Sequence, residues 1–146
     1  MMRRAGVFAA ALLLALPCAA GDWKSITEAA VLYDAPSVQA KPQYIIARGT
    51  PVEVVRAQAG WIKVREPGGK LAWVESRLLS DQHTVMVTAP RASIHAQPDT
   101  GSARVFEAEK DVLLDLLGDT APAGWVKVKH RDGLTGYVRI SQVWGL

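Results

Sequence analysis

Gly60-Trp61-Ile62-Lys63-Val64-Arg65 recurs, at an offset of 64 residues, as Gly124-Trp125-Val126-Lys127-Val128-Lys129. The same offset continues downstream without a gap, where Trp73 is matched by Tyr137. A long match at a fixed offset is the signature of an internal duplication. The sequence therefore predicts two copies of one structural unit.

Upstream of these segments the offset becomes 62, which aligns Leu32 with Ile94 and Tyr44 with Phe106. The second copy has thus gained two residues, and we place them in the segment 118–123 just before its Gly-Trp pair. Surface hairpins tolerate such changes in length.

Apolar and polar residues alternate over short runs in both copies, as they do in half-buried strands. Five strands are predicted in the first repeat, near residues 26–32, 44–47, 51–56, 61–65 and 71–75. In the second repeat strands are predicted near residues 85–88, 92–95, 105–108, 112–117, 125–129 and 135–139. Short 3₁₀ turns are expected at 76–79 and 140–143, and Asp132-Gly133 favours a hairpin turn. Five short strands hide their edges best by closing into a barrel. We expect an all-β protein of two tandem five-stranded barrels that pack together.

The N-terminus has the pattern of a secretory signal. Arg3 and Arg4 precede an apolar run of 12 residues, 5–16, which is too short to span a bilayer. Small residues at Cys18 and Ala20 suit cleavage before Gly21. Pro17 makes lipidation at Cys18 the weaker alternative. We therefore predict a signal peptide over 1–20, barrels over 21–80 and 81–146, a periplasmic or secreted location, and no membrane span after cleavage.

Cleavage changes the charge and the cysteine content. The formal net charge of +3, from 17 basic and 14 acidic residues, falls to +1 when Arg3 and Arg4 are removed. No basic stripe of the kind that binds nucleic acid is present. Cys18 is the only cysteine, so the mature chain has neither a disulfide nor a thiolate nucleophile.

The two Gly-Trp strands, the glycine turns after them, and Trp73-Val74 and Tyr137-Val138 together resemble the bacterial SH3-like (SH3b) domain family. The likeness covers about residues 25–146 and is similar in layout to tandem domains of small exported Gram-negative proteins. It implies small SH3-like barrels. Residues 31–36 and 93–98 lack the Arg and Gly that such domains often carry in this first loop, so no ligand role of that Arg transfers. Ala72 stands where the family usually has Gly, as the second copy has at Gly136.

Sequence motifs for catalysis are missing. There is no Gly-x-Ser-x-Gly elbow and no His-Glu-x-x-His, and the spacing of His83, His95 and His130 does not favour a shared metal site. We expect no enzyme activity, no cofactor and no metal. A hydrolase is the least favoured class.

Aromatic residues are the best candidates for ligand contact. If Ile62 and Val64 fill the barrel core, alternation turns Trp61 at least partly outward, and the same logic exposes part of Trp125. Trp73 and Tyr137 hold equivalent positions, and the loop with Tyr33 and Asp34 borders the groove of SH3-like folds. The predicted site residues are Tyr33, Asp34, Trp61, Trp73, Trp125 and Tyr137. The alternative is that these aromatics pack under their own loops or against the other barrel.

His95 replaces Tyr33 in the second copy, so the first repeat is the better candidate for a cleft. The resemblance implies a peptidoglycan stem peptide or bridge as ligand. The leading hypothesis is an exported binding protein for peptidoglycan, and the alternative is an adaptor or structural subunit that binds another envelope protein. The sequence leaves the ligand, the orientation of the barrels and the oligomeric state open.

Overall fold

The computed structural model describes residues 21–118 and 121–146, and in them the all-β prediction is confirmed. The signal peptide predicted over 1–20 lies outside the described residues. The first repeat forms one antiparallel sheet in the order β3-β2-β6-β5-β4-β1-β7. Its strands are β1 Asp22–Ile26, β2 Ala30–Tyr33, β3 Pro42–Ile46, β4 Pro51–Gln58, β5 Trp61–Arg65, β6 Leu71–Glu75 and β7 Leu79–Ser80.

The second repeat has the same topology, in the order β10-β9-β13-β12-β11-β8-β14. Its strands are β8 Thr84–Val87, β9 Arg91–His95, β10 Arg104–Glu109, β11 Leu113–Leu117, β12 Trp125–Lys129, β13 Thr135–Arg139 and β14 Val143–Trp144. The predicted 3₁₀ turns are confirmed at Ser76–Leu78 and Ile140–Gln142. Each sheet lies within one of the two barrel ranges expected from the sequence.

The predicted count of five strands per barrel is wrong, because each sheet has seven. The strand expected near 26–32 is shorter, β2 at Ala30–Tyr33, and a further strand, β1, lies upstream at Asp22–Ile26. The chain bends between them at 27–29, where Thr27 N–H donates to the Leu78 carbonyl. The other additions are the two-residue strands β7 and β14, which follow the 3₁₀ turns. Two residues are too few to show an alternating pattern.

The register between β5 and β6 places the core where the alternation predicted it. Val64 pairs with Ala72 and Ile62 with Val74, so these side chains share the inner face. Ile62 packs against the core, and the other three are buried in it. An equivalent set of buried residues forms the second core: Val85, Val87, Ala92, Ile94, Ala108, Leu114, Val128, Val138 and Val143.

Gly136 lies where two strands of the second barrel approach closely. A Cβ there would be 2.5 Å from Ile94 Cγ2 and 2.7 Å from the His95 carbonyl oxygen. The first barrel accommodates a methyl group at the equivalent position, where Ala72 is 2% exposed. The two barrels therefore differ in spacing at this crossing.

The two repeats are in contact, as expected from the short connection between them. The Thr84 hydroxyl donates to the Gly49 carbonyl at 2.7 Å, and Trp23 meets Trp144 edge to face with ring centroids 4.8 Å apart. Lys24 on β1 bonds Asp81 in the connection. This hydrogen bond raises the pKa of Lys24 and lowers that of Asp81. Aromatic packing and polar contacts thus join the barrels.

Among residues 21–118 and 121–146, no three His, Cys, Asp or Glu side chains are grouped closely enough to hold a metal ion. No helix in that part of the chain has the length and apolar character to cross a bilayer.

Candidate functional site

Three aromatic residues of the first repeat converge at one place on the sheet. Tyr33 ends β2 and is the direct partner of Trp73 on β6. The Tyr33 ring meets the Trp61 ring edge to face, with centroids 5.6 Å apart and planes at 84°. The structure therefore brings these three predicted site residues together, and we call them the first-repeat aromatic site.

The members of this site differ in exposure. Trp61 is half-buried, which confirms that it is partly outward. Trp73 is only 8% exposed, although it lies on the face of β6 opposite the core residues Ala72 and Val74. Trp73 is thus largely covered, as the packing alternative expected, and Trp61 and Tyr33 supply the accessible aromatic surface.

Asp34 closes the loop beside Tyr33. Its Oδ1 accepts a hydrogen bond from the Lys41 amide at 3.0 Å, and its own amide donates to the Lys41 carbonyl at 3.1 Å. The carboxylate therefore ties together the two ends of the segment 34–41. In this structure Asp34 shapes the border of the aromatic site.

A charged residue that sequence reasoning missed lies directly across from Trp61. Glu75 on β6 is its register partner, and cross-strand neighbours have side chains on the same face. The Glu75 carboxylate accepts a hydrogen bond from Arg77 Nε at 2.6 Å through Oε2. The predicted hairpin of β5 and β6 could have identified Glu75, because the register of the hairpin determines which residue lies across from Trp61.

The second repeat builds the same constellation with different chemistry. His95 meets Trp125 edge to face, with centroids 5.7 Å apart and planes at 90°, and it pairs with Tyr137 across β9 and β13. His95 thus takes the place of Tyr33, as the alignment of the repeats predicted. Its Nδ1 lies 3.2 Å from the Ser102 carbonyl.

The expected exposure of Trp125 is wrong, because the residue is buried at 7% exposure. Its register partner is Arg139, whose guanidinium carbon lies 4.8 Å from the centre of the Trp125 ring. A cation over an aromatic face is attracted by the ring quadrupole, and the long side chain covers the ring from solvent. Lys127 similarly lies 6.0 Å from the ring centre of the half-buried Tyr137. In the second repeat, then, the chain's own cations occupy the aromatic faces.

A hollow of about 720 Å³ lies apart from the aromatic residues, between the repeats. Side chains of both charge signs line it, including Arg48, Asp111, Asp115 and Arg131. Gln82 already donates a hydrogen bond to Asp115 there, at 2.8 Å. Part of its polar lining is therefore already paired within the chain.

Comparison with protein families agrees with this duplicated architecture. The model of the bacterial SH3 domain matches the chain twice, over residues 27–81 and 88–145. This chain belongs to the bacterial SH3 domain family. Two tandem bacterial SH3 domains thus account for most of the chain, and the resemblance found in the sequence is confirmed.

Among curated proteins, no sequence is similar enough to count as a relative of this tandem bacterial SH3 protein. Solved structures with some similarity include NlpC2 and NlpC1 from Trichomonas vaginalis, each 17% identical with a TM-score of 0.39. A third is an NlpC/P60 family protein from Bacillus cereus, 18% identical with a TM-score of 0.39.

The matches cover 86%, 85% and 84% of this chain but 48%, 45% and 55% of those proteins. The chain therefore spans about half the length of the structures it resembles. Because TM-scores of 0.39 are low, we draw nothing about activity from these structures.

Proposed function

We propose that this protein is an exported, non-enzymatic binding module that recognises a peptide of peptidoglycan through the first-repeat aromatic site. The observation that carries the proposal is the difference between two equivalent tryptophans. Trp61 is half-buried beside Tyr33, whereas Trp125 is buried beneath Arg139. The first repeat therefore keeps an aromatic surface available that the second repeat covers.

The chemistry of that surface suits an extended peptide. Tyr and Trp bury much apolar area, and each adds a polar group that can bond a peptide backbone. Such residues are enriched among those that dominate binding energy. The floor beneath them is fixed, because Trp73 is 8% exposed and Asp34 holds the bordering loop closed. A rigid aromatic surface binds without paying much ordering entropy.

Export is the part of the proposal that rests on the sequence of residues 1–20. That segment has the charged start, short apolar run and small residues of a secretory signal. A periplasmic or secreted location would bring the barrels to the cell wall. The assignment of binding rather than catalysis rests on the missing nucleophile and metal motifs in the sequence.

Sedimentation with purified Gram-negative sacculi tests the proposal. Residues 21–146 are mixed with sacculi at moderate salt, and the bound fraction is measured against protein concentration. We expect saturable binding that Trp61→Ala weakens about tenfold or more, the loss typical of an aromatic hot spot. The matched control is Tyr137→Ala, which removes a half-buried aromatic at the equivalent face of the second repeat.

Near-UV circular dichroism checks that each variant keeps its fold. Binding by the wild type that Tyr137→Ala weakens as much as Trp61→Ala would contradict the placement in the first repeat. No binding by the wild type would contradict the ligand itself.

The alternative, an adaptor for another envelope protein, is favoured by one feature of the first sheet. β3 stands at the end of the strand order, and its Ile45 is 74% exposed. An edge strand with an exposed apolar side chain can pair with a strand of another protein. A photo-crosslinker at position 45, used in the periplasm, would capture one defined partner if this alternative holds. The protein would then stay in solution when the sacculi are sedimented.

A further inference from the structure

The second repeat shows what fits on the aromatic face that the first repeat leaves open. Trp61 and Trp125 are equivalent, and so are their edge-on partners Tyr33 and His95 at nearly the same centroid distances of 5.6 and 5.7 Å. Over Trp125 lies a guanidinium group, that of Arg139. The second repeat thus contains a filled version of the site.

The first repeat has the opposite charge at the corresponding position. Glu75 pairs with Trp61 across β5 and β6 in the way that Arg139 pairs with Trp125. Among the described residues, no Lys or Arg lies over the Trp61 ring. The ring face is therefore free of an internal cation and has a carboxylate beside it.

We propose that the first repeat binds the cationic group of its ligand, an amine or a guanidinium, over the Trp61 ring and next to the Glu75 carboxylate. This inference rests on the proposed function and names the chemical group that the site selects. A nearby anion strengthens the binding of a cation to an aromatic face, since the anion and the ring both attract positive charge. The ligand's cation would take the place that Arg139 takes in the second repeat.

The charges around the Trp61 ring leave room for such a group. Glu75 bonds Arg77 through Oε2, while Oε1 has no hydrogen-bond partner among residues 21–118 and 121–146. The Arg77 side chain is 69% exposed and can turn away into solvent. Lys63 shares the face of β5 two residues from Trp61 and is the register partner of Trp73. In the described part of the chain its amine does not lie over the Trp61 ring.

Two small probes test this chemistry directly. Nα-acetyl-lysine amide carries the cation, and its Nε-acetylated analogue has the same shape without the charge. The signals of the tryptophan indole N–H groups are followed by NMR during titration, with the Trp61 signal assigned by its loss in Trp61→Phe. We expect the charged probe to shift the Trp61 signal in a saturable way and the neutral analogue to bind at least about fivefold more weakly.

Variants that exchange the two repeats make the test sharper. Glu75→Arg copies the second repeat, so it should cover Trp61 and abolish the response of its indole signal. Glu75→Gln should weaken binding of the charged probe without covering the ring. Arg139→Gln is the matched control, and it should leave the Trp61 response unchanged while it exposes the Trp125 indole. Equal responses to both probes, or none to either, would overturn the inference.

Sacculi with free amines and sacculi acetylated on those amines separate this inference from the proposed function. Binding to the first and not the second supports both. Equal binding to both overturns the cation requirement and leaves peptidoglycan as the ligand. If neither is bound but the charged probe still shifts Trp61, the ligand assignment fails and the cation site stands.

Discussion

Replacing Gly136 with alanine tests whether the close strand crossing of the second barrel is rigid. The new methyl would lie 2.7 Å from the His95 carbonyl oxygen and 2.5 Å from Ile94 Cγ2. The Ile94 methyl can be moved by a rotamer change, but the carbonyl belongs to the backbone of β9 and moves only with the strand. Overpacking of this kind costs about 1–3 kcal/mol, and we expect the upper half of that range because backbone must shift.

The reverse change, Ala72→Gly in the first barrel, is the matched control. It removes a buried methyl worth about 0.8 kcal/mol. It also adds about 0.5–1 kcal/mol of backbone entropy cost. We therefore expect both substitutions to destabilise the protein, with Gly136→Ala the more damaging, although each only copies the residue found in the other repeat.

Urea unfolding followed by circular dichroism measures both effects. With a slope of about 2 kcal/mol per molar urea, Gly136→Ala should lower the midpoint by about 1 M at unchanged slope. The edge contact between His95 and Trp125 should loosen as well, which near-UV circular dichroism would register. A midpoint within about 0.2 M of wild type would refute the reasoning, because it would mean that β9 and β13 separate at almost no cost.

Three other substitutions address single interactions. Tyr44→Phe removes a hydroxyl that is buried without a hydrogen-bond partner in the described part of the chain, and it should raise the free energy of unfolding by about 1 kcal/mol. Burial raises the pKa of the Tyr44 phenol. Wild-type stability therefore falls as the pH rises above the ordinary tyrosine pKa, because the unfolded chain ionises first. In that pH range the urea midpoint of Tyr44→Phe should fall less than that of the wild type. Asp132→Asn should flatten the acid limb of the stability curve between pH 7 and 3. The hydrogen bond from the Leu134 amide is the chief cause that lowers the pKa of the Asp132 carboxyl. The contribution of this carboxylate to stability is therefore present above its ordinary pKa and is lost as the pH falls through the lowered value. Gly145→Ala should cost about 1–3 kcal/mol in a thermal melt and weaken the contact between repeats, because Gly145 has a φ of 121° and a Cβ would lie 2.9 Å from the Thr84 carbonyl. An unchanged melting temperature would speak against close packing there.

The sequence predicted the parts of this fold that depend on periodicity. Alternation identified Ile62 and Val64 as inward, and it placed Trp61 partly outward, because those assignments follow from the two-residue period of a strand. The duplication also predicted that His95 would stand in for Tyr33. Glycine and Asp-Gly signals located the turn at Asp132, where the carboxylate accepts a hydrogen bond from the Leu134 amide at 3.0 Å.

Periodicity could not predict the burial of Trp125, because alternation shows which face of the strand a side chain takes but not which other side chain covers it. Its cover is Arg139, a residue fourteen positions along the chain that becomes a neighbour only through the register of β12 and β13. Strand β1 was missed for a related reason. Residues 22–26 show only a weak alternation of polar and apolar residues. They form a strand because β4 and β7 pair with them on either side.

The two repeats treat their equivalent tryptophans differently: Arg139 lies over Trp125, whereas Glu75 is the register partner of Trp61. A barrel of about 60 residues buries only about 60% of its unfolded surface, so each copy has little stability to spare. In the second copy Arg139 covers an aromatic face and adds attraction to it, which stabilises that barrel at the expense of an open site. In the first copy Glu75 leaves Trp61 open and cannot supply the same cover. The contacts of Trp23 with Trp144 and of Thr84 with Gly49 join the first barrel, whose aromatic face is open, to the second, whose aromatic face is covered. Under the proposed function, the first copy keeps its aromatic face free for a ligand, while the second copy, with its own face filled, helps to stabilise the first.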